Sequence, residues 1–170
     1  MARCPAMLKM LTGCKVRLRE LTHADLPTRA RWTADTELAI LMGVSVPDEP
    51  FVSEQDELRR NRDWLDQRHR AGATIYAIEA AGRYIGDIDI TIVPEERQAE
   101  LTLFIGEGCE WGQGCGTETV ELVLDQLFGS EPVDTVEVDV APANDTACGS
   151  GRSWASGSAP PTRPAGGTCG

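Results

Sequence analysis

Alternating hydrophobic and polar residues predict five β-strands along the chain. The clearest is a run in which Ile88, Ile90 and Ile92 alternate with Asp87, Asp89 and Thr91. This period of two places the isoleucines on one face of a sheet and the polar residues on the other. The predicted strands are 16–19, 74–78, 84–93, 100–105 and 136–140.

A different spacing of apolar residues predicts three helices. The first begins near Asp25 and Pro27 and ends near Met42-Gly43, and the second runs from the N-cap Ser53 to about Gly72. In the third, apolar residues repeat on one face, and Gly129 suits the position just after the helix. That face comprises Val120, Val123, Leu124, Leu127 and Phe128. The predicted order β-α-α-β-β-β-α-β is typical of an α+β mixed sheet, with a parallel crossover around the last helix.

A glycine-rich segment, Glu110-Trp-Gly-Gln-Gly-Cys-Gly-Thr117, lies between the 100–105 strand and the third helix. Glycines at every second position expose backbone N–H groups that side chains would otherwise shield. The segment leads directly into a helix N-terminus, where unpaired amides and the helix dipole favour an anion. The pattern therefore predicts a pyrophosphate site.

Three other interpretations compete for the same segment. A P-loop requires Gly-Lys followed by Ser or Thr, and this segment contains no lysine. A dinucleotide fingerprint requires a third glycine where Thr117 stands, although Asp139 could supply its ribose-binding acid. A glycine-rich turn without any ligand remains an alternative.

The segment resembles the acetyl-CoA loop of the GNAT N-acetyltransferase superfamily. It is most similar to the branch of ribosomal-protein (RimJ/RimL-like), spermidine and aminoglycoside acetyltransferases, which usually reads Trp-Gly-Lys-Gly-Tyr-Gly-Thr-Glu. As in that branch, the loop follows a strand that ends in Ile-Gly, here Ile105-Gly106. The resemblance implies a GNAT acyl-CoA N-acyltransferase fold for residues 15–147, preceded by an extension over 1–14.

The C-terminal part departs from this family pattern. Asn144 and Ala147 match the family's Asn-x-x-Ala, but 148–170 is rich in Gly, Ser, Pro and Ala and lacks apolar periodicity. The regular C-terminal α-β-β of the family is therefore expected to be absent. With permitted codons and one inserted base, the tail reads Leu-Arg-Val-Trp-Glu-Lys-Leu-Gly-Phe-Arg, which continues the family pattern. We therefore hypothesise a frameshift near Ala147 or Cys148; a genuine disordered tail is the alternative.

Composition and charge restrict the class of partner. The 170 residues carry 27 acidic and 16 basic side chains, a net charge of −11. This charge disfavours nucleic acid and favours a cationic amine. No apolar run is long enough to span a membrane. The six cysteines lack zinc or disulfide-framework spacing, so no metal is expected and the thiols are expected to be reduced in the cytoplasm.

The resemblance also assigns roles to residues by position. Backbone groups of Phe104, Ile105 and Gly106 would pair with the pantetheine arm and polarise the thioester of acetyl-CoA, and Asn144 would lie near that arm. The amides from Gln113 to Thr117 would hold the diphosphate. The predicted cofactor contacts comprise these residues together with the rest of the loop: Trp111, Gly112, Gly114, Cys115 and Gly116.

The acids on the strands are the candidates for catalysis and amine binding. An ammonium substrate must lose a proton, so a carboxylate is the usual base, and Glu100 is the first candidate. Asp87, Asp89 and Thr102 are candidates for binding the substrate, although a solvated strand face is an alternative for each acid. Cys115 is expected to fill a small apolar slot rather than to act as a reactive thiol.

The sequence thus predicts an acetyl-CoA-dependent N-acetyltransferase that acts on a primary amine of a protein N-terminus, a polyamine or an aminoglycoside. The alternatives are an acyl-CoA-binding homologue without turnover and a plain interaction domain. A homodimer is compatible with the sequence.

Overall fold

The computed structural model describes residues 10–41 and 53–138. In these ranges six strands form one sheet whose spatial order follows the chain. The strands are β1 Leu11–Thr12, β2 Val16–Glu20, β3 Thr74–Ala80, β4 Arg83–Val93, β5 Gln98–Ile105 and β6 Thr135–Val138. The helices are α1 Leu26–Ala34, α2 Thr36–Leu41, α3 Glu54–Arg70 and α4 Cys115–Ser130.

Strand pairing is antiparallel from β1 to β5 and parallel between β5 and β6. The parallel pair aligns Gln98 with Thr135 and Leu101 with Val138, and α4 forms the crossover between the two strands. The predicted mixed sheet and its parallel crossover are therefore confirmed. The short β1 was not predicted, because two residues carry no readable periodicity.

The predicted N-terminal helix is in fact two helices. Asp35 interrupts it with an extended backbone (φ −77°, ψ 112°), and its carboxylate accepts from the amides of Glu37 and Leu38 at 3.0 and 3.2 Å. Aspartate is a strong N-cap, and here it ends α1 and caps α2.

The end of α4 also differs from the prediction. Gly129 lies inside the helix, which continues to Ser130, and Phe128 is 41% exposed rather than part of the apolar face. Val120, Val123 and Leu127 are buried as expected. The apolar stripe is therefore narrower than predicted, since Phe128 is exposed and Leu124 is only half-buried.

Two cores lie on opposite faces of the sheet. On one face, Ile88 and Ile90 of β4 pack with Leu101 of β5 against Val123 and Leu127 of α4. On the other, a second cluster joins β3 to α1 and α3; its buried members are Leu21, Leu26, Leu65, Ile75 and Ala77. The polar face predicted for β4 is thus covered by α1 and α3 rather than by solvent.

An ion-pair cluster on β2 and β3 gives stability that depends on pH. Glu79 accepts from Arg19 at 2.7 Å and from Arg17 at 2.9 Å. The bond from Arg19 is the main cause that lowers the pKa of Glu79, and Arg17 adds to it against the opposing effect of burial. The charged carboxylate therefore stabilises the fold above the ordinary glutamate pKa of about 4.3, and this contribution is lost as the pH falls through the lower folded pKa.

Replacing Glu79 with glutamine is expected to flatten the decline of stability below about pH 4.3. The effect should stay under about 1 kcal/mol, because Arg17 is half exposed and solvent screens the pair. Urea unfolding at several pH values measures it, with Glu121→Gln on α4 as the control. Identical acid slopes for wild type and Glu79→Gln would contradict the prediction.

Several predicted features lie outside the described residues. They are the helix end at Met42-Gly43, the loop from Val44 to Phe51, the end of the last strand with Asp139, the position of Asn144, and the tail 148–170.

Candidate active site

The glycine-rich segment forms a tight loop between β5 and α4. A short 3₁₀ turn, Gly108–Glu110, precedes it, and Gly112 and Gly114 have φ values of +72° and +82°. These left-handed conformations strain any residue with a Cβ, so the loop depends on glycine at both positions. Gln113 and Thr117 are exposed, and Gly114 and Gly116 are half-buried, so the loop faces solvent.

Free backbone amides line the start of α4. The first amide that bonds back to the cap is that of Glu118, which donates to the Gly114 carbonyl at 3.0 Å. Gly114 offers no side chain as a cap. Within the described part of the chain, the amides of Cys115, Gly116 and Thr117 therefore have no acceptor. This is the arrangement that binds an anion at a helix N-terminus.

Replacing Gly114 with alanine is expected to weaken anion binding at this helix start at least about tenfold, and to cost about 1–2 kcal/mol of stability. A Cβ at φ +82° is strained and would stand 3.0 Å from the Lys15 ammonium. The measurements are urea unfolding and titration calorimetry with a diphosphate ligand. Gly129→Ala is the matched control: it lies in α4 with open space around it, and it should slightly stabilise the helix. Unchanged affinity in Gly114→Ala would refute this role of the glycine.

Trp111 connects the loop to the end of β5. Its indole N–H donates to the Ile105 carbonyl at 2.9 Å, while the ring remains 45% exposed. The Gly106 amide donates to the Ile85 carbonyl at 2.8 Å. These two groups, predicted to meet the cofactor arm, therefore have internal partners. The pairing of β5 with β6 is described only as far as Leu101 with Val138, so the strand arrangement beside Phe104 lies outside the described residues.

Asp87 and Asp89, the predicted contacts of a cationic substrate, are both buried and already paired. Asp87 accepts from Arg29 Nε at 3.0 Å and from the Tyr84 hydroxyl at 2.9 Å. Asp89 accepts from two nitrogens of Arg68, at 2.6 and 2.9 Å. Burial raises the pKa of Asp89, and Arg68 partly offsets this rise. A substrate ammonium would have to displace an arginine to reach either carboxylate.

Glu100 and Thr102 lie side by side on the same face of β5 and are exposed. In the sheet register Glu100 faces Thr91 of β4 and Glu137 of β6. Asp89 and, more weakly, Glu100 raise the pKa of Arg68. Glu100 is thus accessible, unlike Asp87 and Asp89, and its surroundings include both Glu137 and the Arg68 guanidinium, which donates to the Thr91 hydroxyl at 2.6 Å.

An aromatic cluster that was not predicted packs against the end of β5. The Trp32 ring lies 4.9 Å from the Tyr84 ring and 5.7 Å from the Phe104 ring, centroid to centroid. A Cβ on Gly106 would overlap the Trp32 ring, which explains the glycine at this position. The only sequence signal for this cluster was the Ile105-Gly106 pair at the end of β5, and that pair does not indicate that Trp32 of α1 packs against it.

The Cys115 side chain is buried in the core beneath α4. Burial and then the Glu110 charge raise the pKa of its thiol, and Lys15 opposes this rise. A raised pKa disfavours the reactive thiolate, in line with the slot-filling role expected for Cys115. Cys14 is disulfide-bonded, so the expectation of reduced thiols fails at that position, while Cys109 and Cys115 are free.

A comparison with protein families matches residues 15–149 to the Acetyltransferase (GNAT) domain. This chain belongs to the GNAT acetyltransferase family. No curated protein matches this GNAT chain significantly.

Solved structures with the same fold include several acetyltransferases. A Thermus thermophilus protein assigned as an acetyltransferase shares 22% identity at a TM-score of 0.70, over 90% of this GNAT chain and 76% of its own. The Salmonella typhimurium enzyme that modifies the N-terminal serine of ribosomal protein L7/L12 shares 12% identity at a TM-score of 0.65. The match covers 85% of this GNAT chain and 83% of that enzyme. Vibrio cholerae spermidine N-acetyltransferase, solved with CoA and spermine, shares 19% identity at a TM-score of 0.65. The match covers 83% of this GNAT chain and 80% of that enzyme. These likenesses show the fold, and the last structure shows that a relative binds CoA.

Membrane-spanning and metal-binding features are both absent from residues 10–41 and 53–138. No helix there has the length and apolar character needed to cross a membrane. No group of three or more His, Cys, Asp or Glu side chains there could hold a metal ion.

Proposed function

We propose that this GNAT chain transfers the acetyl group of acetyl-CoA to a primary amine. The observation that carries the proposal is the row of unpaired amides from Cys115 to Thr117 at the start of α4. Two left-handed glycines leave this row open to a ligand, and the loop faces solvent. The site fits a diphosphate, because it offers several backbone donors at a helix N-terminus and the cap residue Gly114 has no side chain that bonds to them.

Acetyl-CoA, when bound, supplies the activated acetyl group as a thioester. The amides from Gly114 to Thr117 would hold its diphosphate, since the Gln113 amide, also expected there, already donates to the Glu110 carbonyl at 3.4 Å. Trp111 would fix the loop against β5. Phe104, Ile105 and Gly106 end the strand beside this loop and are the proposed neighbours of the pantetheine arm. Asn144 is also proposed near that arm. Fixing the donor in this way allows an amine to attack in line within one ternary complex.

Glu100 is the proposed base. Its exposed carboxylate accepts a proton from the substrate ammonium, directly or through a water, so that the nitrogen becomes a nucleophile. Thr102, on the same face two residues further along β5, would contact the amine. Asp87 and Asp89 lie on the neighbouring strand β4, on the same face of the sheet, and would act by holding Arg29 and Arg68 rather than by touching the substrate.

The proposed substrate is a cationic amine of a polyamine, an aminoglycoside or a protein N-terminus. The net charge of −11 and the acidic neighbours Glu100 and Glu137 support this class. A cytoplasmic location is proposed because acetyl-CoA and such amines meet there. A homodimer is proposed as the alternative to a monomer.

The test combines binding with turnover. Calorimetry with CoA is expected to show binding, and a free-thiol assay with acetyl-CoA is expected to show CoA release when spermidine, an aminoglycoside or a ribosomal-protein N-terminal peptide is added. Binding without amine-dependent release would favour a CoA-binding homologue without turnover. That second candidate is supported by the departure of residues 148–170 from the family pattern. No binding of any CoA ester would leave an interaction domain.

A further inference from the structure

Lys15, in the turn between β1 and β2, reaches across to the glycine-rich loop. Its ammonium donates to the Gln113 carbonyl at 2.7 Å. The same nitrogen lies 3.0 Å from the place where a Gly114 Cβ would stand. The ammonium therefore occupies the space that the glycine leaves open, beside the amides that start α4.

Glu118 holds this turn in place. Its carboxylate accepts from the backbone amides of Cys14, Lys15 and Val16 at 2.8, 2.7 and 2.8 Å. Gly13 completes the turn because a Cβ there would come within 2.7–3.0 Å of the same carboxylate. Glu118 belongs to the first turn of α4, so one residue fixes both the helix start and the backbone that carries Lys15.

The charge of Lys15 is not neutralised by the acids nearby. Glu110 forms an ion pair with Arg83 at 2.9 Å, and both Glu118 oxygens accept backbone amides. Among the described residues no carboxylate forms an ion pair with Lys15, whose side chain is exposed. An ammonium has three N–H donors, and the bond to Gln113 uses one of them.

The loop itself carries no positive charge. From Glu110 to Thr117 it contains neither lysine nor arginine, and the chain as a whole is strongly acidic. Backbone amides bind a diphosphate by hydrogen bonds, but a nearby cation strengthens such a contact considerably. A cation from elsewhere in the chain would therefore strengthen the binding of a diphosphate here.

We propose that Lys15 is a phosphate-binding residue of the coenzyme A site and supplies the cation that the loop lacks. This inference rests on the proposed function and names a further residue of the same site. Lys15 would contact the diphosphate of the ligand and not its pantetheine arm.

The test compares Lys15→Met and Lys15→Arg with wild type and with Arg59→Met. Arg59 is a 74% exposed cation on α3, so it controls for the general loss of one positive charge. Calorimetry with CoA, at about 50 and 200 mM salt, measures affinity and its dependence on salt. Pantetheine, which has no phosphate, is the second ligand.

Loss of the lysine is expected to weaken CoA binding about tenfold at low salt, and less at high salt, because salt screens an exposed charge. Lys15→Arg should retain most of the affinity, and pantetheine binding and thermal stability should not change. Equal CoA affinity in Lys15→Met and wild type would overturn the role of Lys15 while leaving the proposed function intact. A wild-type protein that binds no CoA would overturn both.

Discussion

Replacing Asp87 with asparagine is expected to lower the free energy of unfolding by about 3–5 kcal/mol. The side chains of Asp87 and Arg29 are only 4% and 9% exposed and pair at 3.0 Å. Asparagine has the shape of aspartate but no charge, so the buried Arg29 guanidinium would lose the carboxylate that it bonds directly. Desolvation of an uncompensated ion is the largest single penalty available at this site.

The neighbours of Arg29 explain why it cannot simply move away. It donates to the Asn61 side-chain carbonyl, and its guanidinium carbon lies 3.9 Å from the centroid of the Trp64 ring. Asn61 in turn donates to the Thr33 hydroxyl at 3.0 Å. This network joins α1, α3 and β4, so breaking one partner loosens the whole layer that covers the sheet.

Urea unfolding monitored by tryptophan fluorescence measures the effect. Asp125→Asn, an exposed aspartate on α4, is the matched control and should change stability by less than about 0.5 kcal/mol. The double variant Arg29→Met with Asp87→Asn should regain part of the loss, because it removes both charges together. A loss below about 1 kcal/mol in Asp87→Asn would show that the pair is hydrated rather than buried.

The second large effect concerns turnover. Replacing Glu100 with glutamine is expected to lower kcat about 100-fold if this carboxylate is the base, the usual contribution of a positioned acid–base group. Glutamine keeps the size of the side chain but cannot accept the ammonium proton. Glu100 is exposed at the surface of β5, so neither folding nor CoA affinity should change measurably.

The dependence on pH distinguishes a base from a binding residue. As the pH rises, more of the amine is already neutral, so the deficit of Glu100→Gln should shrink toward alkaline pH. A residue that only attracts the ammonium would instead raise KM and leave kcat unchanged. Glu121→Gln, on the opposite side of the sheet, should keep wild-type rates. A wild-type kcat in Glu100→Gln would show that Glu100 is not the base and that another group has this role.

Local sequence patterns predicted most of the fold. Alternation identified five of the six strands, and Ser53 marked the start of α3 correctly, because its hydroxyl accepts from the Asp56 amide. The glycine spacing located the loop and helix start whose amides are now seen to be free. These features depend on neighbours within a few residues, so the chain encodes them wherever it folds.

The partners of the charged residues could not be predicted from local sequence patterns. Alternation placed Asp87 and Asp89 on a polar face, but Arg29 and Arg68, which cover that face, lie 58 and 21 residues away along the chain. The same holds for Lys15, which meets Gln113 across 98 residues. Sequence periodicity predicts on which face of a strand a side chain lies. Which charged side chains pack against that face depends on how the helices pack on the sheet. The open amide row at α4 can therefore be predicted from the local sequence. The position of the Lys15 ammonium beside it is set by the tertiary structure, because Glu118 binds the β1–β2 turn.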